Sequence, residues 1–463
     1  MRRWRSSPPA TSAFERPEPP SRLSAWRARN RGSVRERISI NVVGGFGSQF
    51  VLLASGVLAA RLLGAEDRGH LAMLWIVALV LAQVGGMGLP LATTYWLALG
   101  GHSGRCLLRA VTPVALVQVA VLVGAHLALI LLVFGDERPG LRLAALVTVG
   151  AVPAMLGQQY ALAIFQGLQS FSWFNVFRLA PPALYSSAMI ALFTVGQSAL
   201  PAVAMAWVGA YLLAAAVAVT LAVKMVSHHG RALSKRPSRR AMLGFGLRGM
   251  LGSITPLETF QLDQAVVGAF ISPAALGVYV VAVAFTNLPR FVAQSIGFVA
   301  YPEVARKPTA QLARRTMWRM VLATAAISSV IAVGLGVLAP WLVPLLFGPS
   351  FSGSAEITRI LLVGAVLIGV RRVLADGARG AGHALAGTIA EVSSWVVLGA
   401  ALPILASRGT PSAIAIAVDV SAAAGLAVLL FCVFLTAPPS RFVSAATSQQ
   451  GTNQDTHIPA STS

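Results

Sequence analysis

Acidic residues are scarce in this chain. Its 463 residues include 15 Asp+Glu against 36 Lys+Arg, and charged residues make up only 11% of it. A soluble domain carries about 25% charge. Cysteine is nearly absent too. Cys106 and Cys432 cannot build a disulfide framework, and neither has metal-ligand spacing. His126 stands alone, and His228 and His229 lie in a polar stretch, so no metal site is expected. There is no GxSxG and no P-loop pattern. The expectation is a protein that is not an enzyme and uses no cofactor.

What is present in excess is apolar. Hydrophobic residues account for 56% of the chain. No water-soluble core of this size could hide so much apolar surface, whereas a bilayer solvates it. The formal net charge of +21 would suggest nucleic acid. The basic residues, however, sit at the ends of apolar runs and in alternate connections, so no nucleic-acid partner is expected.

A membrane-spanning helix needs about 20 mostly apolar residues. Twelve stretches qualify: 38–60, 70–99, 107–134, 141–166, 175–196, 199–223, 243–269, 275–301, 316–346, 354–379, 385–406 and 411–436. With the N-terminus inside, 30 of the 36 Lys+Arg fall on the inner side. That bias fits the positive-inside rule and places both termini in the cytoplasm. The predicted fold class is an all-α polytopic membrane protein of about twelve transmembrane helices. Residues 1–37 read as a disordered basic arm, and 437–463 as a disordered cytoplasmic tail. The basic stretch 224–242 reads as a cytoplasmic linker held near anionic lipid. It separates two six-helix bundles, 38–223 and 243–436.

The halves look related. LVFGDERPG and LLFGPSFSG share an apolar helix end, Phe-Gly and a polar turn, with Gly135 and Gly348 separated by 213 residues. Gly167 and Gly380 have the same separation, and Gly69 and Gly277 are 208 apart. An even number of helices per half makes the repeats parallel, related by an axis along the membrane normal. Transporters of this kind bind substrate between the halves and expose it to each side in turn.

The turns resemble a known family. ARLLGAEDRGHLAMLWIVALVLAQVGGMGLPLA, ending at Ala92, is similar to its opening signature. So are LDQAVVGAFISPAALGVYVVAVAF (Leu262–Phe285), YPEVAR (Tyr301–Arg306) and LFGPSFSGSAEITRILLVG (Leu346–Gly364). These segments resemble the polysaccharide-biosynthesis, oligosaccharide-flippase branch of the multidrug/oligosaccharidyl-lipid/polysaccharide exporter superfamily. The resemblance implies two six-helix bundles around a central cavity. It implies a cytoplasmic-membrane flippase for undecaprenyl-pyrophosphate-linked oligosaccharide in surface polysaccharide biosynthesis (lipopolysaccharide or exopolysaccharide). Partners would be the bilayer, the lipid-linked oligosaccharide, a glycan polymerase and glycosyltransferases. Rival expectations within the superfamily are a cation-coupled drug or metabolite antiporter and a lipid II flippase.

A pyrophosphate crossing the membrane needs cations in a wet cavity. Arginine suits phosphate because its planar fork donates two parallel bonds. Arg290, near the middle of the eighth run, is the leading candidate. Arg178, Arg248, Arg371 and Arg372 lie nearer helix ends, where anchoring at the interface is the other reading. Glu258, Asp263, Glu391 and Asp419 are candidates for ion or proton coupling or for structural ion pairs. Glu258 and Asp263 point about 140° apart on one helix. A Glu258–Arg290 pair is expected, because the Ile271–Ala275 turn is tight. Gly44, Gly45, Gly47, Gly56, Gly249, Gly252 and Pro256 either bend the first and seventh helices or allow close packing.

Overall fold

The computed structural model describes residues 34–98, 104–135, 137–227, 238–251, 261–383 and 385–435. It is helical almost throughout, with no strand among the described residues. The helices are α1 (Val34–Gly85), α2 (Leu89–Ala98), α3 (Gly104–Phe134), α4 (Pro139–Thr148), α5 (Ala151–Gly167), α6 (Phe171–Val195), α7 (Leu200–Ser227) and α8 (Arg239–Leu251). They continue as α9 (Leu262–Phe270), α10 (Pro273–Ala305), α11 (Ala310–Phe347), α12 (Ser354–Ala381), α13 (Ala386–Ala406) and α14 (Pro411–Leu435). The chain divides into two compact units at Gly44. The first is helical over its described residues, and the second holds everything discussed below.

Nine helices among the described residues are long and apolar enough to cross a membrane. Of the other three expected crossings, the seventh is described only as α8 and α9. The tenth is the full helix α12, but six charged residues interrupt its apolar run. The first and second merge into α1, which turns at Gly64, φ 71° and ψ −178°. Only glycine adopts that backbone readily. The second helical segment therefore starts about five residues earlier than the apolar pattern predicts. The expected 141–166 helix is interrupted between α4 and α5 at Val149–Gly150. At the tight turn before α10, Ser272 Oγ accepts from Ala275 N–H at 3.1 Å.

Large apolar residues are exposed along outer faces, including Leu132 at 84% and Val195 at 81%. Lipid, with no water to exclude, makes such faces ordinary. Interior packing relies instead on small residues that let backbones approach. The repeat is visible in these contacts. A Cβ on Gly167 would sit 2.7 Å from Leu97 Cβ and 3.1 Å from Thr94 O. A Cβ on Gly380 would sit 2.7 Å from Tyr301 O and 3.0 Å from Val304 Cβ. Thr94/Leu97 and Tyr301/Val304 share one offset, 207 residues.

The two halves meet at a second glycine pair. A Cβ on Gly69 would overlap the Pro273 carbonyl, and one on Gly277 would overlap the Ala65 carbonyl. Ala65 and Pro273 are separated by 208 residues, as the two glycines are. The contact is self-complementary, as two-fold interfaces are. Nearby, Ala72 and Ile76 of α1 enter a core with Val267, Leu276 and Tyr279. Arg61 Nε donates to Leu346 O at 2.6 Å and ties α1 to the end of α11. Towards the other end of α1, Gly88 and Gly246 bring backbone against backbone, and Tyr95 stacks on Phe245 at 4.4 Å.

Candidate functional site

Helix α10 carries Tyr279 and Arg290 eleven residues apart. Eleven residues are about three turns, so both lie on one face. Tyr279 is fully buried, and its hydroxyl donates to Asp263 Oδ2 at 2.9 Å. Asp263 is itself buried, in the first turn of α9. Burying a carboxylate without a donor would be very costly, and Tyr279 supplies one. Arg290 lies within electrostatic reach of both. Its side chain is partly buried, and its Nε is shielded with no hydrogen-bond partner among the described residues. An unsatisfied donor in such a place costs about 1–3 kcal/mol.

Asp419 of α14 is partly buried against Gly364 of α12, where a Cβ would overlap its Oδ1. That Oδ1 also has no hydrogen-bond partner among the described residues. Asp419 acts electrostatically on Tyr279. Asp263, Tyr279, Arg290 and Asp419 thus form one polar cluster in the C-terminal half.

Arg371 and Glu391 form a separate one. Arg371 Nη2 meets Glu391 Oε2 at 2.8 Å, with side-chain exposures of 12% and 26%. Arg371 Nη1 donates to Ser394 Oγ, and Ser394 in turn donates to Ser421 O at 2.9 Å. Glu391 Oε1 also accepts from the Trp395 indole at 3.1 Å. The pair joins α12, α13 and α14. Glu391→Gln should lower thermal stability by up to about 3 kcal/mol, because it strands a half-buried guanidinium. Arg371→Met/Glu391→Leu should recover most of that loss. Melting curves of the purified variants measure both. A single substitution without effect would remove the structural role of the pair.

The remaining candidates scatter. Arg372 is partly buried on α12 and within reach of Asp376. Arg178 is exposed on α6. Arg248 belongs to α8, but its side chain lies outside the described residues, as does all of Glu258. The expected Glu258–Arg290 pair therefore falls outside the described structure. So do Gly252 and Pro256 of the expected hinge.

Sequence reasoning missed Arg68. Its neighbours Glu66 and Asp67 make it read as a loop cation. The early turn at Gly64 instead puts it inside the second helical segment. Its Nε is shielded and has no hydrogen-bond partner among the described residues. Tyr185 lies within its electrostatic reach, and Tyr211 within that of Tyr185. Tyr211 packs edge-on to Trp75 at 5.6 Å, and Trp75 lies 4.8 Å from Trp207. The signal was available in Gly64 itself, a residue suited to a sharp turn four positions before the arginine.

The described residues form a polytopic all-helical fold with an internal repeat and buried polar clusters. Among solved structures, the chain has TM-score 0.69 and 14% identity to a lipid II flippase MurJ in an inward closed conformation, over 90% of this chain and 93% of that one. An inward-facing multidrug-resistance MATE family transporter of the MOP superfamily matches at TM-score 0.57 and 15% identity, covering 90% and 100%. A MOP superfamily transporter from Pyrococcus furiosus, described as having a binding pocket of reversed polarity, matches at 0.60 and 15%, covering 89% and 95%. This is the fold of MOP-superfamily transporters. No curated protein matches the sequence. The family model described as "Polysaccharide biosynthesis protein" matches residues 57–356, and the chain belongs to that family.

Proposed function

We propose that the protein is a flippase that carries undecaprenyl-pyrophosphate-linked oligosaccharide across the cytoplasmic membrane for surface polysaccharide biosynthesis. Substrate passes between the bundles 38–223 and 243–436 by alternating access. Both termini, and the 224–242 linker, face the cytoplasm in this reading, which the Lys+Arg distribution supports. The observation that carries the reading is Arg290, whose Nε is shielded and has no hydrogen-bond partner among the described residues, in the interior of a membrane protein of this family. Anions enter low-dielectric interiors only where such donors await them. Arg68 is a second such guanidinium, in the other half.

Coupling to an ion or proton gradient is assigned to Asp419, whose Oδ1 is shielded and lacks a hydrogen-bond partner among the described residues. A polymerase and glycosyltransferases would act on either side of the step.

Deletion of the gene should abolish display of the surface glycan. Lipid-linked repeat units should then accumulate on the cytoplasmic leaflet, read by protease-free surface labelling against total lipid extract. Normal glycan display in the deletion strain would sink the proposal. Altered sensitivity to cationic compounds with intact glycan would transfer the protein to the antiporter class.

A further inference from the structure

We infer that a groove on the N-terminal half, between α3, α5 and α7, is a binding site for an anionic glycerophospholipid. One acyl chain would fill the groove, and its phosphate would sit at Arg105 and Arg109. This site is separate from the Arg290 cluster and independent of the proposed transport activity.

The groove is a cavity of about 270 Å³. Its walls include Leu107, Val111, Leu116, Tyr160, Val219 and Ala222, and every lining residue lies between Thr93 and Val226. No residue of the other half contributes. Gly157 of α5 faces α7 across only small or branched side chains, Ala215 and Val219. Small residues there leave space that longer side chains would fill. The cavity opens sideways, because its rim residues Thr112, Leu116 and Val223 are exposed. In a membrane, that opening faces lipid, and an apolar slot facing lipid is filled by chains rather than water.

Charge identifies the headgroup. Arg105, Arg109, Thr112 and Leu116 follow at intervals of four, three and four along α3, so they form a single stripe. The stripe runs from two cations to the apolar rim of the groove. Arg105 Nε donates to Ser227 O at 3.2 Å, beside the lining residue Val226. The guanidinium therefore bridges α3 and α7 at the end of the groove. Arg109 is exposed and has no ion pair among the described residues. Lys224 lies in the last turn of α7, next to the rim. None of α3, α5 or α7 contains an Asp or Glu. Arg105 and Arg109 have no carboxylate on these three helices to serve and can read an anionic phosphate. A zwitterionic lipid would gain much less from them.

The test is lipid binding to the full-length protein in detergent, by native mass spectrometry and thermal shift. The probes are phosphatidylglycerol, phosphatidylcholine and undecaprenyl pyrophosphate. Saturable binding and stabilisation are expected with phosphatidylglycerol and not with phosphatidylcholine. R105Q/R109Q should weaken phosphatidylglycerol binding roughly tenfold or more. Thr112→Trp, at the exposed rim, should block it without disturbing the core, and Arg290→Gln should leave it unchanged. Equal binding of phosphatidylcholine, or indifference to both the Arg105/Arg109 and Thr112 changes, would overturn the inference. Preferential binding of undecaprenyl pyrophosphate at this groove would overturn it as well, by assigning the slot to the prenyl chain.

Discussion

Arg290→Gln leaves the protein inserted and folded but lowers transport between about tenfold and a hundredfold. The magnitude follows from what the side chain supplies. A charge-assisted hydrogen bond is worth about 1.5–3 kcal/mol, and 1.4 kcal/mol is a factor of ten. Glutamine keeps length and some donor capacity while removing the charge and the fork. Arg290→Lys keeps the charge and should retain part of the flux, because a point charge attracts phosphate without bidentate geometry. The rival role is internal: Arg290 would balance Asp263, whose side-chain donor partner is Tyr279. The two roles separate in a double variant. If Arg290 serves only Asp263, then Arg290→Gln/Asp263→Asn should restore activity, since neither buried group is then stranded. If Arg290 serves substrate, the double variant stays inactive. The measurement is glycan display by complementation of the deletion strain, with membrane-inserted protein quantified in parallel. Full flux in Arg290→Gln would remove its substrate role.

The place of Arg290 midway along its helix was legible in the sequence, but its partners were not. A run of about 20 apolar residues fixes a span, and counting inward places the arginine near the middle. Pairing depends on which helix packs beside which. Tyr279 meets Asp263 across the α9–α10 turn, sixteen residues away, and Arg371 meets Ser394 at a separation of 23. No periodicity encodes those meetings. Arg371 therefore read as a phosphate ligand or an interfacial anchor, and its pairing with Glu391 was not legible. Helix limits failed for a related reason. Hydropathy treats Glu66, Asp67 and Arg68 as loop residues, yet the backbone turns earlier, at Gly64. Polar residues at a helix start satisfy each other instead: Arg138 pairs with Asp67 and lies 3.8 Å from Glu66. The glycine spacings carried more than the apolar runs did. Gly69 and Gly277 were recognisable as equivalents from spacing alone. That they touch one another could be seen only in three dimensions.

That contact makes the second large prediction. Gly277→Val should separate the two halves at the Gly69 end and halt transport. A Cβ there overlaps the Ala65 carbonyl, which is backbone and cannot rotate away. Gly69→Val presses on Pro273 O in the same manner. Overpacking a tight site costs about 1–3 kcal/mol when the neighbours can adjust. Here the adjustment open to the protein is movement of one half away from the other, since packed interfaces switch rather than stretch. The Arg61 bonds to the end of α11 lie on this seam and would be strained together with it. The opposite seam, at Gly88 and Gly246, is not touched by either substitution. A cysteine at position 65 should therefore react faster with a membrane-impermeant maleimide in Gly277→Val than in the parent, while a cysteine at Tyr95 should not. Because the contact is self-complementary, Gly69→Val should reproduce both results, and the double variant should add little once the seam is open. Ala at the same positions tests the geometry on a smaller scale, with a partial rate increase at position 65. Unchanged labelling at position 65 in both valine variants, with transport intact, would show that the halves do not depend on this glycine pair.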